Sequence, residues 1–365
     1  MTLARATATA LAALLGLGCG SDSEDTACET GACSTATTDE TGTPPTTAAS
    51  ASTTTPSPTS TAPGDPSETG EETSSTSSPN TTDTTDTTDI PASPGCGKPP
   101  LHASGGVQVT IDAGPAGDGM RSFFLSLPAD YDPGRAHRLV VGYPGTDWLG
   151  EMIQPYLDLE SNAEGDEIFV YPDPLWRDFT GWGTYGGWVL GPHAAPADGD
   201  QDINFTAALL DFMADTYCID TTRVFATGHS WGGDMAHVVS CFLGDRFRAA
   251  VPIAANRPYW FMDDGAPIHC PGETAVWTMF GADDDHFTDQ DYPGQYGDEC
   301  RDFWLGERAC TGVMASTDLG LGAAMECVEY TDCAQPTRYC LYSAEFGHQR
   351  PDYFPAEAMK FFRSF

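Results

Sequence analysis

The chain has few positive charges for its length. Its 365 residues include 16 Lys and Arg against 53 Asp and Glu, and the formal net charge at pH 7 is −37. A surface this acidic repels the phosphates of nucleic acids and the anionic headgroups of lipids. We therefore expect no nucleic acid partner and no polyanionic substrate.

Long apolar runs are also lacking. The one notable run, residues 6–18, follows Arg5 and is too short to span a bilayer. A positive charge followed by a short apolar segment that ends in small residues is typical of a signal peptide. The run ends in Leu17-Gly18-Cys19, which resembles a bacterial lipobox with a lipidated cysteine. We expect residues 1–19 to direct export and Cys19 to carry a lipid, with an ordinary cleaved signal peptide as the alternative.

Residues 20–95 have no Lys or Arg and almost no bulky apolar residue, and they are rich in Thr, Ser, Pro, Asp and Glu. Such a segment cannot bury enough apolar surface to offset the entropy lost on ordering. We predict a disordered linker over 20–95 that holds a folded domain, residues 96–365, away from the membrane. The protein is then extracellular or at the cell surface, and it meets the membrane only through a lipid anchor.

Cysteine is frequent in the predicted domain. Nine of the 12 cysteines lie after residue 95. This density in an exported domain predicts disulfides, and the odd number leaves at least one cysteine free or paired outside the domain. Because no Cys-x2-Cys pair is present, a zinc site is disfavoured, and we expect no metal and no cofactor.

The domain alternates β-rich and helical segments. Predicted strands are 107–112, 121–127, 138–143, 168–171, 223–227, 249–254, 275–280 and 338–342, and predicted helices are 203–217, 231–243, 300–308 and 355–362. Asp202 is the expected N-cap of the first helix, and Pro355 suits the first turn of the last. The strands from residue 138 onward are apolar on both faces, as in a buried sheet. The pattern predicts an α/β fold with a mostly parallel central sheet flanked by helices.

The segment Gly228-His229-Ser230-Trp231-Gly232 fits the motif G-x-S-x-G between a predicted strand and a predicted helix. A nucleophilic serine on such a tight turn needs small residues two positions before and after it. The helix N-terminus then lies beside the developing oxyanion. We therefore predict an α/β-hydrolase fold with Ser230 as nucleophile and the Trp231 amide as an oxyanion donor. A glycine-rich turn with an incidental serine is the alternative.

In this fold the acid and then the histidine base follow the serine along the chain. His237 lies within the helix that starts at the motif, His269 lies beside a cysteine, and His286 follows an acidic loop directly. His348 lies between the last predicted strand and the last predicted helix, where the base is expected. We predict that His348 is the base.

The acid is expected after the strand 275–280, where the sequence has Asp283, Asp284 and Asp285 in succession. We favour Asp284 and keep Asp283 and Asp285 as alternatives. The loop continues with Asp289 and Asp291, but it lacks the regular spacing of a calcium loop, so we predict a solvated acidic loop.

With these residues, the domain resembles the secreted feruloyl esterases and the related acetylxylan esterases and poly(3-hydroxybutyrate) depolymerase-like enzymes. The resemblance runs over 95–365 and is most specific over 217–233, with Gly347-His348 near its end. It implies an extracellular carboxylic ester hydrolase without a metal. Its Gly-x-x-Asp loop corresponds to residues 281–284, which supports Asp284.

The sequence departs from this family in the predicted oxyanion loop. The family has His-Gly after the early strand, whereas this chain has Tyr143-Pro144-Gly145-Thr146. Thr146 is the expected second oxyanion donor. The residue after the nucleophile, Trp231, is bulkier than is usual in the family.

These features predict an ester hydrolase that acts through an acyl-enzyme on feruloyl or acetyl esters of plant polysaccharide. Two alternatives remain: a polyhydroxyalkanoate depolymerase, and a non-catalytic surface lipoprotein that binds glycans. Aromatic residues that line a substrate pocket or pack in the core are expected at Trp176, Trp182, Trp188, Tyr259, Trp260 and Phe261.

Overall fold

The structure is a computed structural model that describes residues 92–179, 181, 183–191, 199–258, 269–284, 286, 295–313 and 326–365. Several sequence predictions lie outside these residues. They are the signal peptide, the lipid site at Cys19, the linker up to residue 91, and the predictions for Trp182, Tyr259, Trp260, Phe261, Asp285, Asp289 and Asp291.

Within the described residues, ten strands form one sheet in the order β1-β2-β4-β3-β7-β8-β9-β12-β11-β10, and a separate hairpin pairs β5 with β6. The strands are β1 Gly105–Asp112, β2 Met120–Leu127, β3 His137–Tyr143, β4 Glu167–Pro172, β5 Leu175–Phe179, β6 Gly183–Gly187, β7 Ile219–His229, β8 Ala249–Ile253, β9 Ala275–Gly281, β10 Gly312–Val313, β11 Glu326–Thr331 and β12 Thr337–Tyr342. The six central strands from β4 to β12 are parallel, and the strands at both edges are antiparallel.

Helices cover both faces of this sheet. They are α1 Gly150–Leu157, α2 Gln201–Thr216, α3 Trp231–Phe242, α4 Gln295–Glu307 and α5 Phe354–Arg363. Alternate residues of β3 enter different core clusters: Leu139 and Val141 pack with α2 and α3, and Val140 packs with α1 and α5. The predicted α/β fold with a mostly parallel sheet is therefore confirmed. None of the helices in the described residues is long and apolar enough to cross a membrane.

All eight predicted strands and all four predicted helices are present, with ends shifted by a few residues. The sequence did not predict α1, the β5–β6 hairpin or the edge strands β10 and β11. Helix α1 is short and contains Pro155, so its sequence signal is weak. Its first residue must be glycine, because a Cβ on Gly150 would lie 2.0 Å from the backbone oxygen of Tyr171.

The predicted N-cap of α2 is wrong. The helix begins at Gln201 after Asp200, and Asp202 lies inside the first turn, fully buried. Its carboxylate bonds Arg121 Nη1 at 2.8 Å and Arg177 Nη1 at 2.9 Å. The pairing of two buried charged groups with Asp202 outweighs the local preference for a cap, which sequence spacing alone cannot reveal.

Eight of the nine domain cysteines form four disulfides. The pairs are Cys96–Cys218, Cys241–Cys270, Cys310–Cys333 and Cys327–Cys340. Cys300 is the free cysteine among the described residues; it is buried, and its thiol donates to the Ala255 carbonyl. The expectation of disulfides with one cysteine left over is confirmed, and four disulfides fit an oxidising, extracellular compartment.

Some residues that the sequence analysis assigned to the linker contact the domain. Ala92 forms a β-bridge with Asp220, and Ser93, which the sequence placed in the linker, is 5 % exposed. Ser93 Oγ donates to the Tyr217 carbonyl at 2.6 Å and accepts from the Ile219 amide at 2.9 Å. Ala92, Ser93 and Gly95 therefore pack with the domain, and composition does not report these contacts.

We predict that Ser93→Ala destabilises the domain. The substitution leaves a buried carbonyl and a buried amide without their partner, which costs about 1–3 kcal/mol of unfolding free energy. Urea unfolding of the full chain measures the change. Ser104→Ala is the control, since the Ser104 hydroxyl makes an exposed bond to Ala129; equal unfolding midpoints for the two variants would contradict this anchoring role.

Candidate active site

Ser230 occupies the turn between the end of β7 and the start of α3. Its backbone has φ 58° and ψ −130°, a strained conformation for a residue with a side chain. The flanking glycines make the turn sterically possible: a Cβ on Gly228 would lie 2.2 Å from the Gly232 oxygen, and one on Gly232 would lie 2.1 Å from the Tyr143 oxygen. The G-x-S-x-G motif therefore forms the strand-to-helix elbow that the sequence predicted.

The loop after β3 lies directly against this turn. A Cβ on Gly145 would lie 3.3 Å from the Cβ of Ser230 and 3.8 Å from its Oγ. The buried indole of Trp188 donates from Nε1 to the Pro144 carbonyl at 2.8 Å, which fixes the loop. Thr146 follows Gly145 and is exposed. Of the two predicted oxyanion residues, Trp231 directly follows Ser230 along the chain. Thr146 directly follows Gly145, the residue that lies against the Ser230 turn.

His348 and Asp284 meet in a buried pair. His348 Nδ1 lies 2.9 Å from both carboxylate oxygens of Asp284, which is fully buried. A carboxylate only accepts, so Nδ1–H donates, and Nε2 is the basic nitrogen of the neutral ring. Asp283 is exposed, and Asp285 lies outside the described residues. Of the described candidates, the structure brings Asp284 to His348.

His286 is a neighbour that the sequence analysis did not assign to the site. Its exposed ring stacks on the His348 ring, with centroids 3.9 Å apart and planes 16° apart. Potential ligand atoms of Asp284, His286 and His348 lie within 4.8 Å of one another. Nearly parallel rings cannot both point their in-plane lone pairs at one ion, and the Asp284 carboxylate already bonds Nδ1. The cluster fits acid–base chemistry better than metal binding.

The two other predicted non-catalytic histidines lie elsewhere. His237 is fully buried in α3, where its Nδ1 accepts from Trp304 Nε1 at 2.9 Å. Burial lowers the pKa of His237 to about 3. His269 is largely exposed beside Glu307. In the described part of the chain, the polar partners of these two histidines, Trp304 and Glu307, lie outside the Ser230 turn.

The side chain of Trp231 packs under the β5–β6 hairpin. Its ring centroid lies 4.6 Å from that of Phe179 and 6.4 Å from that of Tyr185, and a Cβ on Gly187 would lie 2.8 Å from the indole. The predicted aromatic residues therefore divide: Trp188 is in the core, whereas Trp176 on the hairpin is 62 % exposed. The expectation that part of this group serves packing is met by Trp188.

The sequence analysis also did not identify two residues that hold the His348 loop. His229 Nε2 lies 2.5 Å from the His348 carbonyl oxygen. Tyr156, from the unpredicted helix α1, accepts a hydrogen bond from the Arg350 amide at 2.9 Å. A histidine inside the motif was visible in the sequence, but its partner lies 119 residues away, so only the fold connects them.

The chain is similar to known hydrolases. The sequence model of the prolyl oligopeptidase family matches residues 183–287. Feruloyl esterase C of Emericella nidulans is 33% identical over 163 residues, which cover 43% of this chain and 51% of that protein. Probable feruloyl esterase C of Aspergillus niger is 26% identical over 262 residues, which cover 70% of this chain and 83% of that protein. The match thus spans about half the length of the first relative and most of the second.

Among solved structures, an acetyl xylan esterase from Aspergillus awamori superposes with a TM-score of 0.54 at 16% identity, covering 70% of this chain and 99% of that one. At this identity the likeness shows the fold alone. The chain therefore has an α/β-hydrolase fold, and its sequence is similar to that of feruloyl esterases.

Proposed function

We propose that the chain is a serine carboxylic ester hydrolase in which Ser230 is the nucleophile, His348 the general base and Asp284 the acid that orients it. The buried bond between His348 Nδ1 and Asp284 is the observation that carries the proposal, because it leaves Nε2 as the basic nitrogen. The strained backbone of Ser230 also supports the proposal, because a nucleophile on a strand-to-helix turn adopts such a conformation.

The reaction starts with proton transfer from the Ser230 hydroxyl to His348 Nε2 as the oxygen attacks the ester carbonyl. Asp284 stabilises the imidazolium that forms and holds the ring in one tautomer. The Trp231 and Thr146 amides then donate to the oxyanion of the tetrahedral intermediate. Collapse of this intermediate passes the proton to the leaving alcohol and yields the acyl-enzyme.

Hydrolysis of the acyl-enzyme repeats these roles with water as the nucleophile. His348 takes a proton from water, the second tetrahedral intermediate forms at the same oxyanion site, and Ser230 leaves with the proton that His348 returns. No step needs a metal or an organic cofactor, since the imidazole transfers every proton and the backbone amides stabilise the negative charge of the oxyanion.

The substrates that we propose are feruloyl or acetyl esters of plant cell-wall polysaccharide. Relatives named feruloyl esterase support this class. The net charge of −37 suits an uncharged ester linkage better than a polyanion. A polyhydroxyalkanoate depolymerase needs the same three residues, so product release from feruloylated arabinoxylan and from polyhydroxybutyrate film is the experiment that separates the two.

The non-catalytic alternative rests on the altered loop at Tyr143-Pro144-Gly145. The intact pair of Asp284 and His348 favours catalysis over this reading. A wild-type protein that hydrolyses no acetyl, feruloyl or hydroxybutyrate ester would instead favour a glycan-binding surface protein.

We further propose that the chain is exported and that a lipid at Cys19 anchors it to the cell surface. The short apolar run before Cys19 and the polar, acidic segment that follows support this arrangement. The disulfides of the domain fit the extracellular side.

We expect Ser230→Ala and His348→Ala each to lower kcat for methyl ferulate or p-nitrophenyl acetate by roughly 10⁴- to 10⁶-fold. The double variant is expected to lose little more, because the two groups act as one unit. A fluorophosphonate probe is expected to label the wild type and not Ser230→Ala. Full activity of His348→Ala, or labelling at a different serine, overturns the assignment.

Asp284→Ala tests which carboxylate orients the base. We expect it to lower kcat by roughly 10²- to 10⁴-fold, because the imidazole keeps some basicity but loses its fixed tautomer. Asp283→Ala is the matched control, since Asp283 is the exposed neighbour in the same loop, and it is expected to stay near wild type. A larger loss in the Asp283 variant would exchange the two roles.

Cys19→Ser is expected to move the protein from the membrane fraction to the soluble fraction without changing kcat, because lipid is the only anchor that the sequence suggests. Fractionation followed by an ester assay measures both properties. A variant that still sediments with membranes shows that something other than a lipid on Cys19 holds the protein there.

A further inference from the structure

His229, the residue before the nucleophile, lies in direct contact with the loop that carries the base. It ends β7, and its side chain is 8 % exposed. Its Nε2 lies 2.5 Å from the backbone oxygen of His348, and the two rings are 4.8 Å apart between centroids. Because a carbonyl oxygen only accepts, Nε2–H of His229 is the donor.

This histidine is neutral at ordinary pH. Burial, followed by the charge of His348, lowers the pKa of His229 to about 3. With so low a pKa the ring is a weak base at the pH at which esterases work, so it is poorly suited to general base catalysis. The geometry of His229, and not its titration, is what can matter for the reaction.

A second residue, Tyr156, holds the same loop just after His348. The Tyr156 hydroxyl accepts from the Arg350 amide at 2.9 Å and donates to Gln349 Oε1 at 3.2 Å. Arg350 Nε in turn bonds the Tyr156 carbonyl. The Tyr156 ring also lies against His229, with centroids 4.9 Å apart. Two elements that are far apart in sequence thus hold the backbone of residues 348–350.

The loop needs such support because it is locally irregular. It follows a 3-10 turn, Ala344–Phe346, and passes through Gly347 at φ 50° and ψ −123°. Gly347 is also closely packed, since a Cβ on Gly281 would lie 2.4 Å from the Gly347 oxygen. A base on such a segment is accurate only if its backbone is tied to the element that carries the nucleophile.

We propose that His229 is a positioning residue: its hydrogen bond to the His348 carbonyl fixes the base to the same strand end that carries Ser230, so that nucleophile and base keep one relative position. This inference rests on the proposed function, because it needs Ser230 and His348 to react together. His229 touches neither substrate nor the reacting atoms, and it acts only through the backbone of residue 348.

The proposal predicts a specific kinetic pattern. His229→Leu removes the donor at similar bulk, so the base loop can shift, and a displacement of about 1 Å can cost up to about 10²-fold in rate. We expect kcat to fall roughly 10- to 100-fold with KM within about twofold of wild type, because ester binding does not use this bond. His229→Gln places an amide donor near the Nε2 position and is expected to recover most of the lost kcat.

His237→Leu is the matched control. His237 is also buried and has a similarly lowered pKa, but its ring bonds Trp304 away from the nucleophile. We expect this variant to lose stability, because it leaves the Trp304 indole N–H without its partner, and to keep a normal kcat. Thermal unfolding and kcat, measured on the full chain for all variants, separate loss of stability from loss of positioning.

A wild-type kcat in folded His229→Leu overturns the proposal, as does a His229→Gln variant no more active than the leucine variant. If His229→Leu does not fold, Tyr156→Phe replaces it: the ring stays against His229, the acceptor of the Arg350 amide is lost, and kcat is expected to fall roughly 3- to 10-fold at unchanged KM. An unchanged kcat in that variant also counts against the proposal. An inactive wild type that the fluorophosphonate probe does not label would instead refute the proposed function.

Discussion

Backbone crowding around Ser230 is the constraint on which the site depends. The turn presses the end of β7, the start of α3 and the loop after β3 into contact, and Gly228 and Gly232 leave no room for a Cβ. The same crowding extends to Gly145, where an added Cβ would lie 3.3 Å from the Ser230 Cβ. A strained residue persists only where its surroundings determine it from several sides. Here the parallel strands β3, β7 and β8 do so, because their carboxyl ends meet at one edge.

Much of the fold could be predicted because its strands are buried on both faces. Strands β8 and β9 are buried throughout and almost entirely apolar. The glycines of the elbow are needed for steric reasons that act within the motif, so the motif alone predicts them. Helix α1 could not be predicted, since Pro155 and a glycine start weaken its pattern. A tertiary contact holds the start of this helix: the Gly150 amide donates to the buried Asp173 carboxylate at 2.7 Å.

The candidate site divides in the same way. Chain order and loop position suffice to select Ser230 and His348 as candidates and to limit the acid to Asp283, Asp284 or Asp285, because the topology fixes where the strand ends lie. They do not suffice for His229 and Tyr156, whose partners are 119 and 194 residues away. The error at Asp202 has the same origin: an acidic residue before an apolar run resembles a cap, but Arg121 and Arg177 bind it in the interior. Long-range pairing of polar groups is what a single sequence hides most completely.

The unusual loop Tyr143-Pro144-Gly145-Thr146 need not weaken oxyanion binding. Oxyanion donors in this fold are backbone amides, so the side chains of the loop affect them only through geometry. Pro144 has no N–H to offer, but Thr146 retains its amide. Trp188 donates to the Pro144 carbonyl, and Gly145 keeps the close approach to Ser230 that a larger residue would prevent. The loop therefore has the two features that the proposed oxyanion site needs: a backbone held by Trp188 and a close approach to Ser230 at Gly145.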